Sequence, residues 1–107
     1  MTNVNPIIAE IEALLDDEAP RGLDEIEDTL TSGYAGALAL EAERLRIERR
    51  ISELASELGG EAEFELHRTE EIVGLAQRLS IADANLIRLR EILSTLRERA
   101  AAVRAAA

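Results

Sequence analysis

The chain has 107 residues, a formal net charge of -10 at pH 7 and no cysteine. This length allows one domain at most, and the lack of cysteine excludes a disulfide framework and a thiolate metal site. The negative charge argues against general binding to nucleic acid or to an anionic membrane, because phosphate groups would be repelled. The sequence holds no apolar run of 18 residues and no charged-then-apolar leader, which predicts a cytoplasmic protein without a membrane partner.

The amino-acid usage is typical of long helices. Alanine, leucine, glutamate and arginine dominate, every basic residue is arginine, and Tyr34 and Phe64 are the two aromatic residues. No sustained alternation of apolar and polar residues indicates a strand. The sequence therefore predicts an all-α fold in a single helical domain of residues 1–107.

The first predicted helix covers about residues 6–18. Asn5 is a favoured N-cap, and Pro6 is favoured at the first helical position, where a missing N–H costs nothing. Apolar residues then recur at helical spacing as far as Leu14. Residues 19–22 include a proline and a glycine that end the helix, and so short a connection predicts an antiparallel neighbour.

The second predicted helix, about residues 23–58, carries the clearest heptad pattern. Alternating steps of three and four residues reach eleven positions, of which nine are apolar. These positions are Leu23, Ile26, Leu30, Gly33, Ala37, Leu40, Arg44, Ile47, Ile51, Leu54 and Leu58. A helix with this repeat buries one seam against a partner helix, which the rest of the chain must supply.

Two residues interrupt the apolar pattern of the second helix. Arg44 either sets the register of the pairing or places its guanidinium at the rim of the seam, and we favour the rim. Gly33, together with Gly36, either lets another helix approach closely or forms a bend that serves motion or a partner. We favour the close approach.

Gly59 and Gly60 end the second helix, because glycine just past a helix end takes the left-handed conformation that closes it. The third helix is predicted from about residue 61 to 105. Ser80 and Asp83 resemble a helix start and leave a break near residue 80 open, although an unbroken seam favours continuity. The seam positions are Ile72, Leu75, Leu79, Ala82, Leu86, Leu89, Leu93, Leu96, Ala100 and Val103, and toward the turn the seam shifts to Leu66 and Val73, with Phe64 beside it.

The charge distribution favours a chain that folds back at the double glycine. Residues 1–43 hold eleven acids and one arginine, a net charge of -10, whereas residues 44–107 hold eleven of each. If positions that sum to about 120 face each other, arginines meet acids along the whole length. The expected groups are Arg49 and Arg50 with Glu70 and Glu71, Glu41 and Glu43 with Arg78, and residues 24–28 with Arg97 and Arg99.

Both long helices carry more apolar surface than a two-helix seam uses. The additional side chains are Tyr34, Leu38, Leu45, Ile81, Ile87 and Ile92. The first helix can cover the end near the termini but is too short to reach the double glycine. We therefore predict a short N-terminal helix followed by a long antiparallel two-helix coiled-coil hairpin, completed as a bundle by self-association, most simply as a homodimer.

The residues expected to carry assembly are those of the seam, chiefly Leu40, Ile47, Ile51, Leu54, Leu86, Leu89 and Leu93. At the turn, Glu61, Glu63 and Glu65 either complement the dipole of the third helix or form an acidic tip that contacts a partner. In outline such a tip is similar to the coiled-coil arm of Gre-type transcript-cleavage factors, which enters an RNA polymerase channel. The Asp-x-x-Glu-Asn tip of those factors is not found at this turn.

Metal and catalytic motifs are weakly represented. His67 has Phe64 three residues before it, so the Glu-x-x-His spacing of carboxylate-bridged metal bundles is not met, and Glu63 lies four residues before it. No nucleophile turn and no phosphate-cradling loop is found. We expect no metal, no cofactor, no catalytic residue and no small-molecule substrate.

These patterns predict a non-enzymatic helical interaction or assembly module. It would act as a homo-oligomeric scaffold or as an adaptor that binds another protein. The alternative is a regulatory coiled-coil hairpin whose acidic tip inserts into a basic cleft of a larger complex.

Overall fold

The computed structural model describes residues 2–16 and 22–106, apart from the side chains of residues 62 and 63. Within these ranges it contains three helices and no strand: α1 (Asn5–Asp16), α2 (Leu23–Ser56) and α3 (Ala62–Ala106). α2 and α3 pack against each other as a hairpin, and α1 contacts both. The molecule measures 67 × 18 × 16 Å. The predicted all-α hairpin with a short N-terminal helix is thereby confirmed.

α1 begins one residue before the predicted start. Asn5, expected as the N-cap, is the first helical residue, and its backbone N–H donates to Oδ1 of Asn3 at 3.1 Å. The side chain of Asn3 therefore caps the start of α1, because an Asn side chain readily accepts a hydrogen bond from the backbone N–H two residues further along. The predicted end near residue 18 and most of the connection to α2 lie outside the described residues.

α2 ends at Ser56, two residues before the predicted end, and the chain then turns. Gly59 has a φ of 108°, the left-handed conformation expected just past a helix end. The backbone N–H of Gly59 donates to Oε1 of Glu65 at 2.6 Å, which ties the turn to the first part of α3. Leu58, predicted as the last seam position, therefore lies in the turn, where it is 43% exposed and does not belong to the seam.

α3 runs through Ser80 without interruption, so the start signal at Ser80 and Asp83 is not used. Leu75, Ala82 and Leu86 are buried on either side of this point. The same apolar stripe therefore continues past residue 80 and keeps the helix in contact with α2.

The buried side chains form two separate clusters. The larger one, here called the bundle core, joins all three helices at the end of the molecule where α1 lies, and Ile11, Leu89 and Leu96 are completely buried in it. The smaller one, the tip core, joins α2 and α3 near the turn and has Ile47, Leu54 and Leu75 as its buried residues. α1 does not contribute to the tip core, as its length predicts.

The polar residue in the α2 seam is Glu43 and not Arg44. After Leu40 the buried positions continue at Glu43 and Ile47, and Glu43 is 5% exposed. Arg44 lies half-buried at the flank, where its Nε is 2.8 Å from Oδ1 of Asp83. The prediction that Arg44 belongs to the seam is wrong. From Leu40 the seam advances by three residues to Glu43 and then by four to Ile47, instead of by four to Arg44 and then by three. The guanidinium of Arg44 does lie at the rim.

The antiparallel register agrees with the charge pattern near the turn and departs from it farther away. Arg50 pairs with Glu71 at 3.2 Å and Glu43 lies 3.7 Å from Arg78, as expected. Glu41 instead pairs with Arg90, and Glu27 pairs with Arg104 rather than with Arg97 or Arg99. Side chains lean toward the N-terminus of their own helix, so an arginine of α3 leans toward the turn and a glutamate of α2 leans away from it. An ion pair between the two helices consequently joins residues whose Cα atoms lie at different heights along the hairpin.

Candidate interaction surfaces

The seven seam residues proposed to carry assembly lie in the interface between α2 and α3. Six of them are at most 4% exposed, and Ile51 is partly buried against the tip core. Leu40, Leu86, Leu89 and Leu93 belong to the bundle core, whereas Ile47, Ile51 and Leu54 belong to the tip core. These side chains hold the hairpin together, and a second protein has no access to them while the hairpin stays closed.

α1 and the residues before it cover one side of the hairpin. Ile11 packs beside Gly33, and Val4 packs beside Gly36. Arg88 of α3 reaches Glu12 at 2.6 Å. The N-terminal segment therefore occupies the groove between α2 and α3 on that side.

The opposite side of the hairpin is not covered by the described residues. A cavity of about 390 Å³ lies there between the long helices, and Tyr34, Leu38 and Ser94 are among its lining residues. A second cavity of about 380 Å³ follows toward the turn and includes Leu45 in its lining. Neither cavity is lined by a residue of the N-terminal segment.

α3 contributes apolar side chains to the same side. Ile87, Val73 and Leu66 precede Ser94 by multiples of seven residues, the spacing that keeps residues on one face of a supercoiled helix. All three are more than half exposed. We call the six side chains of this surface the uncovered face; they are Tyr34, Leu38, Leu45, Leu66, Val73 and Ile87.

Two of the six side chains predicted to widen the apolar stripe are placed elsewhere. Ile92 is 4% exposed and belongs to the bundle core. Ile81 is exposed but lines a cavity beside Thr2, on the side that α1 covers. The reason is angular: positions 81 and 92 lie on the other flank of the α3 seam from positions 87 and 94.

Most arginines of α3 form ion pairs with glutamates of the other two helices. These ion pairs lie around the surfaces described above. Arg78, Arg88, Arg90 and Arg104 each pair with a glutamate of α1 or α2. Arg99 instead donates to the carbonyl oxygens at the end of α1, at 3.1 Å for Leu15, and so caps that helix. The arginines therefore balance the acidic first part of the chain, as the charge count predicts.

Arg50, near the turn, has a shifted pKa. Hydrogen bonds from Arg50 to Glu71 and then to Glu53 raise the pKa of Arg50 above its ordinary value. The guanidinium is exposed and is cationic at neutral pH with or without the shift, so the shift gives stability no pH dependence there.

Glu43 is buried and charged, whereas the heptad pattern had predicted its neighbour Arg44 as the polar residue of the seam. Its Oε2 accepts from the backbone N–H of Thr2 at 2.9 Å, and its Oε1 lies 3.7 Å from Nη2 of Arg78. Open cavities of about 480 Å³ and 330 Å³ adjoin it, with Thr2 and Arg78 in the lining of both. The carboxylate thus anchors the start of the chain to the middle of the hairpin.

The acidic tip is partly occupied by its own contacts. Glu65 accepts from Gly59, and Arg68 pairs with Glu57 while its guanidinium lies 5.9 Å from the centre of the Phe64 ring. Glu61 is exposed, and the side chain of Glu63 lies outside the described residues. Of the three predicted tip contacts, Glu65 therefore has a role in closing the turn.

His67 is exposed and lines a shallow cavity with Phe64, Leu66 and Glu70. Within the described ranges, no three His, Cys, Asp or Glu residues are grouped in a way that could hold a metal ion. The structure therefore brings no second ligand set to His67 beyond its own helix.

No protein-family model, curated protein or solved structure matches the chain. The residues and surfaces described above are therefore what bears on function. None of the described helices has a stretch both long enough and apolar enough to pass through a lipid bilayer.

Glu43 and the grouping of the uncovered face are the features that sequence reasoning missed. The sequence did not indicate Glu43 because Glu43 and Arg44 are both polar, and either one can stand between Leu40 and Ile47 in a repeat of threes and fours. The six apolar side chains of the uncovered face were partly identified, but Leu66 and Val73 were predicted to continue the α3 seam toward the turn, and that prediction is wrong because both are more than half exposed. Their heptad spacing from Ile87 was the available signal.

Proposed function

We propose that this protein is a non-enzymatic helical interaction module that works by binding a protein partner along the uncovered face. The hairpin is the scaffold, held by the bundle core and the tip core, and α1 closes its other side. The uncovered face then provides two parallel rows of side chains to which the helices of a partner can add.

The observation that carries this proposal is the exposure of large apolar side chains on one side of the hairpin. Leu38 is 68% exposed, Leu66 is 64% exposed and Ile87 is 59% exposed. Isolated exposed apolar residues are common on soluble proteins, but a row along the length of two packed helices is typical of an interface. Ion pairs such as Arg90 with Glu41 run between the rows and reduce the cost of covering them.

The alternative function, insertion of the acidic tip into a basic cleft, has less support. An acidic tip that binds in a basic cleft needs carboxylates that are free to accept hydrogen bonds from the partner. Glu65 already accepts from Gly59 at 2.6 Å, and Arg68 places a positive charge beside the turn. We therefore prefer the uncovered face as the site of interaction.

A pair of isoleucines on α3 gives a direct test. Ile87 belongs to the uncovered face and Ile81 lies on the side of α1, yet both are 59% exposed. A photoreactive phenylalanine analogue placed at each position in turn, in the native host, reports which side contacts protein. We expect a cross-linked protein adduct from position 87 and a much weaker one from position 81. Equal labelling from both positions, or none from position 87, would contradict the proposal.

A further inference from the structure

We infer that the partner of the uncovered face is a second copy of this chain, packed antiparallel about a two-fold axis that runs across the helices near Ala42 and Ala84. This inference rests on the proposed function. It names the occupant of the face and the register in which that occupant lies. The resulting assembly is a four-helix bundle in which every neighbouring pair of helices is antiparallel.

Symmetry leaves two ways to stack two copies of the hairpin face to face. An axis across the helices places α2 on α2 and α3 on α3 with the copies antiparallel, and an axis along the helices places α2 on α3 with the copies parallel. The end of the hairpin that holds α1 decides between them, because residues 1–43 and 84–107 together leave it with a net charge of -7, whereas residues 44–83 carry -3. Parallel copies would bring both acidic ends together, whereas antiparallel copies place them at opposite ends of a molecule 67 Å long.

The apolar residues of α2 define where the axis crosses it. Leu38 and Leu45 are the two leucines of the uncovered face on this helix, and pairing each with the other places the axis beside Ala42. The same register places Tyr34 against Arg49 of the partner subunit, and both residues are exposed. A guanidinium over a tyrosine ring is a favourable contact, and Arg49 makes no ion pair with another described residue.

α3 gives the same axis independently. When two copies of α3 pack antiparallel about Ala84, the exposed residues at heptad spacing meet each other. Ile87 lies against Ser80 of the partner subunit, and Val73 lies against Ser94 of the partner subunit. Each large side chain thus meets a small one, which is the condition for close packing of two helices. Ala84 itself is exposed and small, so the two copies of α3 can approach at the axis.

The charges beside this line are also complementary. The register that pairs Val73 with Ser94 places Arg97 against Glu70 of the partner subunit. Both are exposed, and neither forms an ion pair with any described residue of its own chain. The two-fold axis creates this contact twice.

A contact within the chain shows that one axis can serve both helices. Gly33 of α2 lies against Leu93 of α3, and nine residues from that contact along each helix, in opposite directions, Ala42 and Ala84 lie at nearly the same level of the hairpin. A line across the molecule at that level passes both alanines. α1 packs on the far side and does not obstruct the second copy.

Sedimentation equilibrium on the full chain tests the occupant. We expect twice the chain mass of 11.7 kDa for the unaltered protein and for Ile81→Glu, and a single chain mass for Ile87→Glu. Arg97→Glu should weaken association at least tenfold, and adding Glu70→Arg should restore it, because the swapped charges meet again. Circular dichroism should show unchanged helicity in all variants, since each substituted residue is exposed. Failure of the swap to restore association would overturn the register.

Disulfide formation tests the direction of packing, and the chain has no cysteine of its own. Ala42→Cys lies at the proposed axis and should link to itself under mild oxidation. If it links instead only when mixed with Ala84→Cys, the copies are parallel and the inference is wrong. A chain that sediments as a monomer but is cross-linked to another protein from position 87 would refute the second copy and leave the proposed function standing.

Discussion

Leu93 of α3 packs onto Gly33 of α2 so closely that a β-carbon at position 33 would overlap its Cδ2 atom. The same β-carbon would lie 3.3 Å from Cδ1 of Ile11, so all three helices meet at this glycine. α2 passes through the position without a break. Of the two interpretations of the glycine patch, the structure supports a packing contact at Gly33.

Gly33→Ala is therefore expected to destabilise the protein even though alanine is the better helix former. The gain in helix propensity is about 1 kcal/mol, but an added methyl group in a packed core costs about 1–3 kcal/mol. Leu93 is 3% exposed, and its Cγ would also lie 3.4 Å from the added β-carbon, so more than the end of the side chain would have to move. Urea denaturation should show a lower midpoint for this variant.

Gly36→Ala is the matched control, one turn along the same helix. The nearest atoms to its added β-carbon lie 3.7 Å away, an ordinary van der Waals distance. Only the gain in helix propensity remains, so the midpoint should rise by the equivalent of up to about 1 kcal/mol. If both substitutions shift the midpoint in the same direction, the packing account of Gly33 is incorrect.

The hairpin could be predicted because its signals are local and repeated. The first residue of the double glycine, Gly59, takes the left-handed conformation that ends a helix, and the apolar repeats on either side of the turn need a partner. The choice between Glu43 and Arg44 was beyond the sequence. Between Leu40 and Ile47 a step of three before a step of four fits as well as the reverse order, and packing against α3 decides which order is used.

The uncovered face shows a different limit of the sequence. Its side chains were recognisable as excess apolar surface, but Ile81 and Ile87 look alike in the sequence and lie on opposite flanks of α3. What separates them is where α1 docks, and that depends on contacts such as the one between Ile11 and Gly33. Long-range packing of this kind leaves no periodic trace in the chain.

Glu43→Ala should cost about 1–3 kcal/mol of folding free energy. The substitution leaves the backbone N–H of Thr2 without its acceptor and removes the carboxylate that lies 3.7 Å from the guanidinium of Arg78. Amide hydrogen exchange at residues 2–4 should accelerate more than exchange in the rest of the protein, because their anchor is lost.

Glu48→Ala is the control for Glu43→Ala, since Glu48 also lies on α2 and pairs with an arginine of its own helix. That pair is exposed, so its loss should cost no more than about 1 kcal/mol and leave exchange at residues 2–4 unchanged. Equal effects of the two substitutions would show that burial of Glu43 has no energetic consequence.

The turn offers a second matched pair of glycines. Gly59 has a φ of 108°, which strains any residue with a β-carbon, so Gly59→Ala should destabilise the protein by about 1 kcal/mol. At Gly60 the nearest side-chain atom to an added β-carbon is Nη1 of Arg68 at 3.5 Å, so Gly60→Ala should be within about 0.5 kcal/mol of neutral. Urea denaturation of the two variants measures the difference, and a reversed order would contradict the turn geometry.

The two clusters of buried residues should respond differently to the same substitution. Leu89 is completely buried in the bundle core, and Leu54 is 2% exposed in the tip core. Leu89→Ala should lower the global stability by about 3 kcal/mol, because it leaves a cavity where three helices meet. Hydrogen exchange should then accelerate for the most protected amides throughout the protein.

Leu54→Ala should act mainly on the end near the turn. The tip core has few buried residues and no contribution from α1, so this end can open while the bundle core stays closed. We expect faster exchange at residues 44–56 and 64–79, with much smaller changes at residues 30–43 and 82–96. A uniform loss of protection across all four segments would show instead that the hairpin unfolds as one cooperative unit.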